Sequence, residues 1–103
     1  MIGIGKYKVY IDHMFFKGQA IFEIEFKNDN YEFEIEIDNA DFDMDITITE
    51  FEEDDDTLDA KATVAILPGK EIDVHLTFED DKCNGYLKIP FVGKIKIKDA
   101  VKI

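Results

Sequence analysis

Serine, arginine and tryptophan are missing altogether from this 103-residue chain, and cysteine occurs once. Without serine there is no serine-nucleophile hydrolase, and without arginine there is no bidentate guanidinium clamp on phosphate or carboxylate. The lone Cys83 excludes an internal disulfide framework and any multi-cysteine zinc site, and it fits a reducing compartment. No apolar run approaches the roughly 18 residues needed to cross a bilayer, and Met1 to Lys6 shows none of the regions of a signal peptide. A cytoplasmic protein without a membrane partner is the expectation. Positive charge is also scarce. Twelve basic side chains against 24 acidic ones leave a net charge of -12, a field that repels polyphosphate and anionic headgroups, so direct nucleic-acid binding is not expected.

What is present is an ordinary globular mixture, 46% hydrophobic and 35% charged, in a length that suits a single domain over residues 1–103. Strict alternation of apolar and polar residues governs most of it, the mark of strands with one dry and one wet face. Tyr7, Val9 and Ile11 point inward on a first strand, and Ala20, Phe22, Ile24 and Phe26 on a second. A turn at Asn28-Asp29-Asn30 leads to a third strand with Tyr31, Phe33, Ile35 and Ile37 inward. After a short link at Asn39-Ala40, a fourth strand sets Phe42, Met44, Ile46 and Ile48 inward. Phe51 then falls on the opposite parity, as one extra bulged residue near Thr49-Glu50 would produce.

Beyond the acidic tip Glu52 to Asp56, a fifth strand carries Leu58, Ala60, Ala62, Val64 and Ile66, and Pro68-Gly69 suits the centre of a type II turn. A sixth carries Ile72, Val74, Leu76 and Phe78. Glu79 to Gly85, Cys83 included, reads as a polar turn. Leu87, Ile89 and Phe91 point inward next, and Ile95 and Ile97 follow Gly93.

About eight strands on short links make an all-β antiparallel meander. It closes into a small up-and-down barrel or folds over as a two-sheet sandwich. The barrel is favoured because no long crossover link is available and closure removes exposed edges. The layout resembles the lipocalin and fatty-acid-binding (calycin) superfold in topology alone. It departs from those families in its chemistry, lacking the tryptophan of the lipocalins' opening Gly-x-Trp motif and the arginine with which fatty-acid-binding proteins hold a carboxylate.

The inward face is rich in rings: Tyr7, Phe22, Phe26, Phe33, Phe42, Phe78 and Phe91. Ala20, Ala60, Ala62 and Gly85 supply little volume on the same parity. Eight-stranded barrels are just filled by their side chains or hold one small ligand, so this interior is a candidate pocket for a small apolar molecule. Met14, Phe15 and Phe16 interrupt the alternation between the first two strands, as a lid over a cavity mouth or as a plug in a filled barrel.

The outward parity carries Glu32, Glu34, Glu36 and Asp38 on the third strand and Asp41, Asp43 and Asp45 on the fourth. Like charges directly opposite one another destabilise a sheet. Three compensations suggest themselves. Lys6, Lys8, Lys94, Lys96 and Lys98 on the first and last strands form a basic stripe, so the molecule is dipolar and suited to association with itself or with a basic partner. Divalent cations favour carboxylate oxygen, but the glycine and distal glutamate of a calcium loop are absent and no dedicated metal site is expected. Lastly, carboxylates two residues apart on a strand repeat at about 6.7 Å, close to the phosphate spacing of a polynucleotide, which suits a mimic or inhibitor of nucleic-acid-binding proteins.

Catalytic material is thin. His75 stands outward between Asp73 and Thr77, and Cys83 has Lys82 on one side with Asp80 and Asp81 nearby. The chain reads as a non-enzyme with no cofactor. A ligand carrier comes first, an interaction module with an acidic face second, and an enzyme built on His75 last.

Overall fold

The computed structural model describes residues 2–13, 17–37, 43–64 and 69–103, with the backbone alone for 37 and 43–45. The chain is an antiparallel meander of eight strands: β1 Gly5–Asp12, β2 Lys17–Lys27, β3 Asn30–Ile37, β4 Asp43–Asp54, β5 Thr57–Val64, β6 Glu71–Glu79, β7 Lys82–Ile89 and β8 Gly93–Lys102. The strands pair in sequence order and close into a barrel. Closure pairs β1 with β8 at Tyr7↔Lys102 and Lys8↔Val101, and the Ile103 N–H reaches the Lys6 carbonyl at 2.9 Å. Barrel rather than sandwich is thereby settled. No helix occurs among the described residues, hence none long and apolar enough to cross a membrane.

The alternation works as the pattern requires. Tyr7, Val9 and Ile11 are buried while Lys6, Lys8 and Tyr10 are exposed, and β5 and β6 repeat the rhythm. Two bulges interrupt it. On β4 the pairing steps from Ile48↔Ala62 to Glu50↔Lys61, so Thr49 is the extra residue and Phe51 returns to the parity of Ala60, at the barrel's edge and 37% exposed. The Asn30 side-chain amide donates to the Ile48 carbonyl at 2.9 Å, and the Thr49 hydroxyl donates to the Lys61 carbonyl at 3.1 Å, fixing the irregular stretch. On β8 the step from Gly85↔Ile97 to Cys83↔Ala100 leaves one residue over. Asp99 takes φ 54° there, and its N–H donates to the Asn84 side-chain oxygen at 2.8 Å.

A meander of this kind gathers its links at two ends. At one end β2–β3, β4–β5 and β6–β7 are joined by two residues each: Asn28-Asp29, Asp55-Asp56 and Asp80-Asp81. Asn28 and Asp29 both have positive φ, 54° and 63°, the signature of a type I′ hairpin, which Asn and Asp adopt at low cost. The links β1–β2, β3–β4, β5–β6 and β7–β8 leave from the other end. Asn39-Ala40, Pro68 and Met14 to Phe16 lie on those links outside the described residues, as do Phe42 and Asp41. Gly69, with φ 78°, has the backbone that the third residue of a type II turn requires.

Two expectations are corrected. The polar turn after β6 is only Asp80-Asp81, and Cys83 is fully buried on β7 opposite Phe78. The run Asp-Asp-Lys-Cys-Asn-Gly has turn composition, but two-residue closure needs only its first pair. Phe91 does not point inward: it is 83% exposed. Pro90 ends β7, and the Val92 N–H closes on the Ile89 carbonyl at 3.1 Å. Phe91 therefore sits at the third position of a tight turn with φ 70°, off the strand parity that would have carried it inside.

Candidate functional site

The interior comes first because the aromatic residues were assigned to it. Tyr7 stacks on Phe22 with ring centroids 5.1 Å apart and touches Phe78 at 5.9 Å. Tyr31 makes edge contacts with Phe26 at 5.0 Å, Phe33 at 6.4 Å and Phe51 at 5.0 Å. Small residues face large ones across the strands, Ala60 opposite Phe51, Ala62 opposite Ile48 and Gly85 opposite Leu76. Among the described residues, one void of about 20 Å³ lies beside Phe22, Phe33, Leu76 and Leu87, the room of about one water molecule. A ligand there would have to displace side chains.

Most of these rings lie toward the tight-turn end, which the N-terminal segment covers. The Ile2 N–H donates to the Tyr31 hydroxyl oxygen at 2.8 Å, the Tyr31 hydroxyl donates to the Glu53 carboxylate, and the Tyr7 hydroxyl donates to the Gly3 carbonyl at 3.0 Å. Gly3 lies against the far end of the Phe78 ring, where an added Cβ would come within 2.2 Å of it. Burial pushes the Tyr31 hydroxyl up to about 12, with the Glu53 carboxylate adding to the effect. Burial also pushes Tyr7 up to about 12, aided by Cys83 and Asp81. The Tyr31 network was not singled out from the sequence. Its available signal was an inward tyrosine at the first turn of a strand, where the hydroxyl of a buried ring needs a partner.

The outer surface divides by charge. Glu23 lies directly opposite Glu34, and Glu25 opposite Glu32, across β2 and β3. Across β3 and β4 the backbone register sets Glu34 opposite Asp45 and Glu36 opposite Asp43. Glu32, Glu34 and Glu36 are exposed. Lys27 relieves one corner, 2.6 Å from Glu25 and 4.0 Å from Glu32. Its ammonium, hydrogen-bonded to Glu25, holds that carboxyl below the usual range, and Glu25 in turn holds the Lys27 ammonium above its own. Glu34 and Glu36 make no salt bridge among the described residues.

A second outer region was read from sequence only as a lone His75. The register aligns Asp59, His75, Tyr86 and Lys96 in one row across β5 to β8. His75 Nδ1 lies 2.5 Å from an Asp59 carboxylate oxygen, its ring stacks on Tyr86 at 5.3 Å, and the Lys94 ammonium covers Tyr86 at 4.3 Å. These contacts engage the imidazole Nδ1 and the Tyr86 ring, in a shallow open groove. Cys83 belongs to neither region: burial pushes its thiol up to about 12, so at neutral pH it is protonated and shielded. No group of three or more metal-ligating side chains is found among the described residues.

Fold and surface together define a small acidic up-and-down β-barrel with aromatic clusters among its described inward residues. Compared with protein-family models, with curated proteins and with solved structures, the chain matches none.

Proposed function

We propose that this barrel is a non-enzymatic interaction module whose acidic face receives a basic surface of a partner protein. That face comprises Glu23 and Glu25 of β2, Glu32, Glu34 and Glu36 of β3, and the β4 positions of Asp43 and Asp45. The observation that carries the reading is the row of opposed acids centred on Glu34, with Glu23 opposite it on β2 and the Asp45 position opposite it on β4. Such a row costs stability unless a cation is brought to it, as Lys27 is to Glu25 and Glu32. The void of about 20 Å³ inside gives an apolar-ligand role less support, since ligand pockets run to about 300 Å³ or more. The repeat of about 6.7 Å between alternate carboxylates suits partners that bind polyphosphate chains, which present lysine and arginine at matching intervals.

The test uses an oligolysine peptide as the probe. Backbone amide shifts of the labelled barrel should move at β2 and β3, weaken with salt, and vanish in Glu32→Gln/Glu34→Gln/Glu36→Gln. Shifts spread evenly over all acidic positions, the Asp55-Asp56 tip included, would mean attraction to net charge with no face involved.

A further inference from the structure

We propose that the chain assembles with copies of itself, the acidic β2–β4 face of one molecule seated on a lysine-rich β7–β8–β1 face of the next. This inference rests on the acidic face being a docking surface and names its occupant. Eight of the twelve lysines stand on three adjacent strands: Lys82 and Lys88 on β7, Lys94, Lys96, Lys98 and Lys102 on β8, Lys6 and Lys8 on β1. Asp12 and Asp99 are the only acids on those strands, whereas β3 and β4 carry nine acids and no lysine. A chain of net charge -12 thus concentrates its cations on one side.

All eight lysines are exposed, and among the described residues none forms a salt bridge. Lys88 lies directly opposite Lys94, a like-charge pair of the kind that Glu23 and Glu34 make on the other side. Each face carries a like-charge pair that the other would relieve, while Lys6, Lys82 and Lys88 also stand opposite Glu23, Glu79 and Asp73 on their other flank.

Position round the barrel sets the mode of assembly. In a closed ring of eight strands, β4 stands four strands from β8 either way, and β3 three strands one way and five the other. The β3–β4 part of the acidic face thus looks away from β8, although the two faces meet at their β1–β2 edge, where Lys6 stands directly opposite Glu23. A contact between β3–β4 of one molecule and β8 of the next leaves a complementary face free on each. The contact is head to tail and open-ended. Net charge opposes it over long range. The barrel measures 32 × 29 × 20 Å, and at about 0.01 M salt the screening length of about 30 Å lets whole molecules repel. At about 0.1 M the length falls to about 10 Å, so facing surfaces dominate, and at about 1 M even they are screened.

Sedimentation velocity on the full chain tests this. Near 0.1 M salt the average mass should rise with concentration through a series of species, and it should return to monomer near 1 M. Lys88→Gln/Lys94→Gln/Lys96→Gln and Glu32→Gln/Glu34→Gln/Glu36→Gln, all at exposed positions, should each be monomeric. Mixed in equal amounts, they keep one good face apiece and should give a dimer and nothing larger. A wild-type monomer at every salt concentration overturns the proposal, as does association that persists in either variant alone or strengthens at high salt. Oligolysine binding to the acidic face without self-association removes this inference and leaves the docking face standing; loss of both removes both.

Discussion

The described residues at the two ends of the barrel differ in kind. At the tight-turn end two-residue hairpins supply almost no covering chain, so rings do the work: Tyr7, Phe22, Phe26, Tyr31, Phe51 and Phe78 fill the space, and Ile2 to Ile4 lie over them. Toward the link end the described inward residues are aliphatic, Ile11, Ala20, Val64, Ile72, Ile89 and Ile95. The glycines report the same contrast. Gly3 and Gly85 sit where an added Cβ would collide with a ring or with backbone, while Gly69 and Gly93 have nothing within 4 Å. Short turns make an end sparing in chain but dependent on exact packing, and the longer links release that constraint.

The largest expected effect of breaking this contrast is at Gly85. An added Cβ would stand 1.9 Å from the His75 carbonyl oxygen, at a φ of 155°, and neither backbone can yield without opening the β6–β7 ladder. Gly85→Ala should cost about 4 kcal/mol or more, read as loss of a cooperative urea transition. A variant that unfolds like wild type would show that β7 can shift at this point. Gly3→Ala comes next, about 2 kcal/mol by overpacking, because the far end of the Phe78 ring is the part it meets and that ring can give way. Gly93→Ala, with a φ of 94° and open space, should lose only about 1 kcal/mol from backbone strain. Equal losses at positions 3 and 93 would dissolve the distinction between the ends.

Much of this was legible in the sequence, and the reason is parity. A period of two marks the buried face of each strand directly. The reversal of parity at Phe51 marked the β4 bulge, and charge counting by strand marked the lysine stripe. Parity fails where the chain leaves the sheet. Phe91 was assigned inward by counting on from Leu87 and Ile89, two residues too far. Cys83 was assigned to a turn because Asp, Asn and Gly around it look the same in a hairpin and in the strand that follows. Partners across strands were also hidden. Asp59 and His75 lie sixteen positions apart, and only the register shows that they touch.

The hydrogen-bond network of the tight-turn end predicts an alkaline weakness. Tyr7 and Tyr31 are raised from 10.0 to about 12, so between those values the folded state holds protons that the unfolded state releases. The stability they contribute is complete below pH 10 and is lost as pH rises toward about 12. Tyr31→Phe should cost about 1 kcal/mol at neutral pH by leaving the Ile2 N–H unpaired, and it should flatten the fall in stability above pH 10. An unchanged alkaline slope would mean that Tyr31 ionises without unfolding cost and that the N-terminal cover is not locked by its hydroxyl.

The smallest effect should come from the largest exposed ring. Phe91 is 83% exposed and holds φ 70°, a conformation that costs a residue bearing Cβ about 1 kcal/mol and costs glycine almost nothing. The Lys70 ammonium stands 5.3 Å from its ring centre. Phe91→Gly trades that strain against a freer unfolded chain, so the urea midpoint should stay within about 0.5 kcal/mol of wild type. In most barrels the loss of an inward phenylalanine costs about 3 kcal/mol or more. A loss of that size here would restore Phe91 to the packed interior and make the link end as dependent on aromatic closure as the tight-turn end.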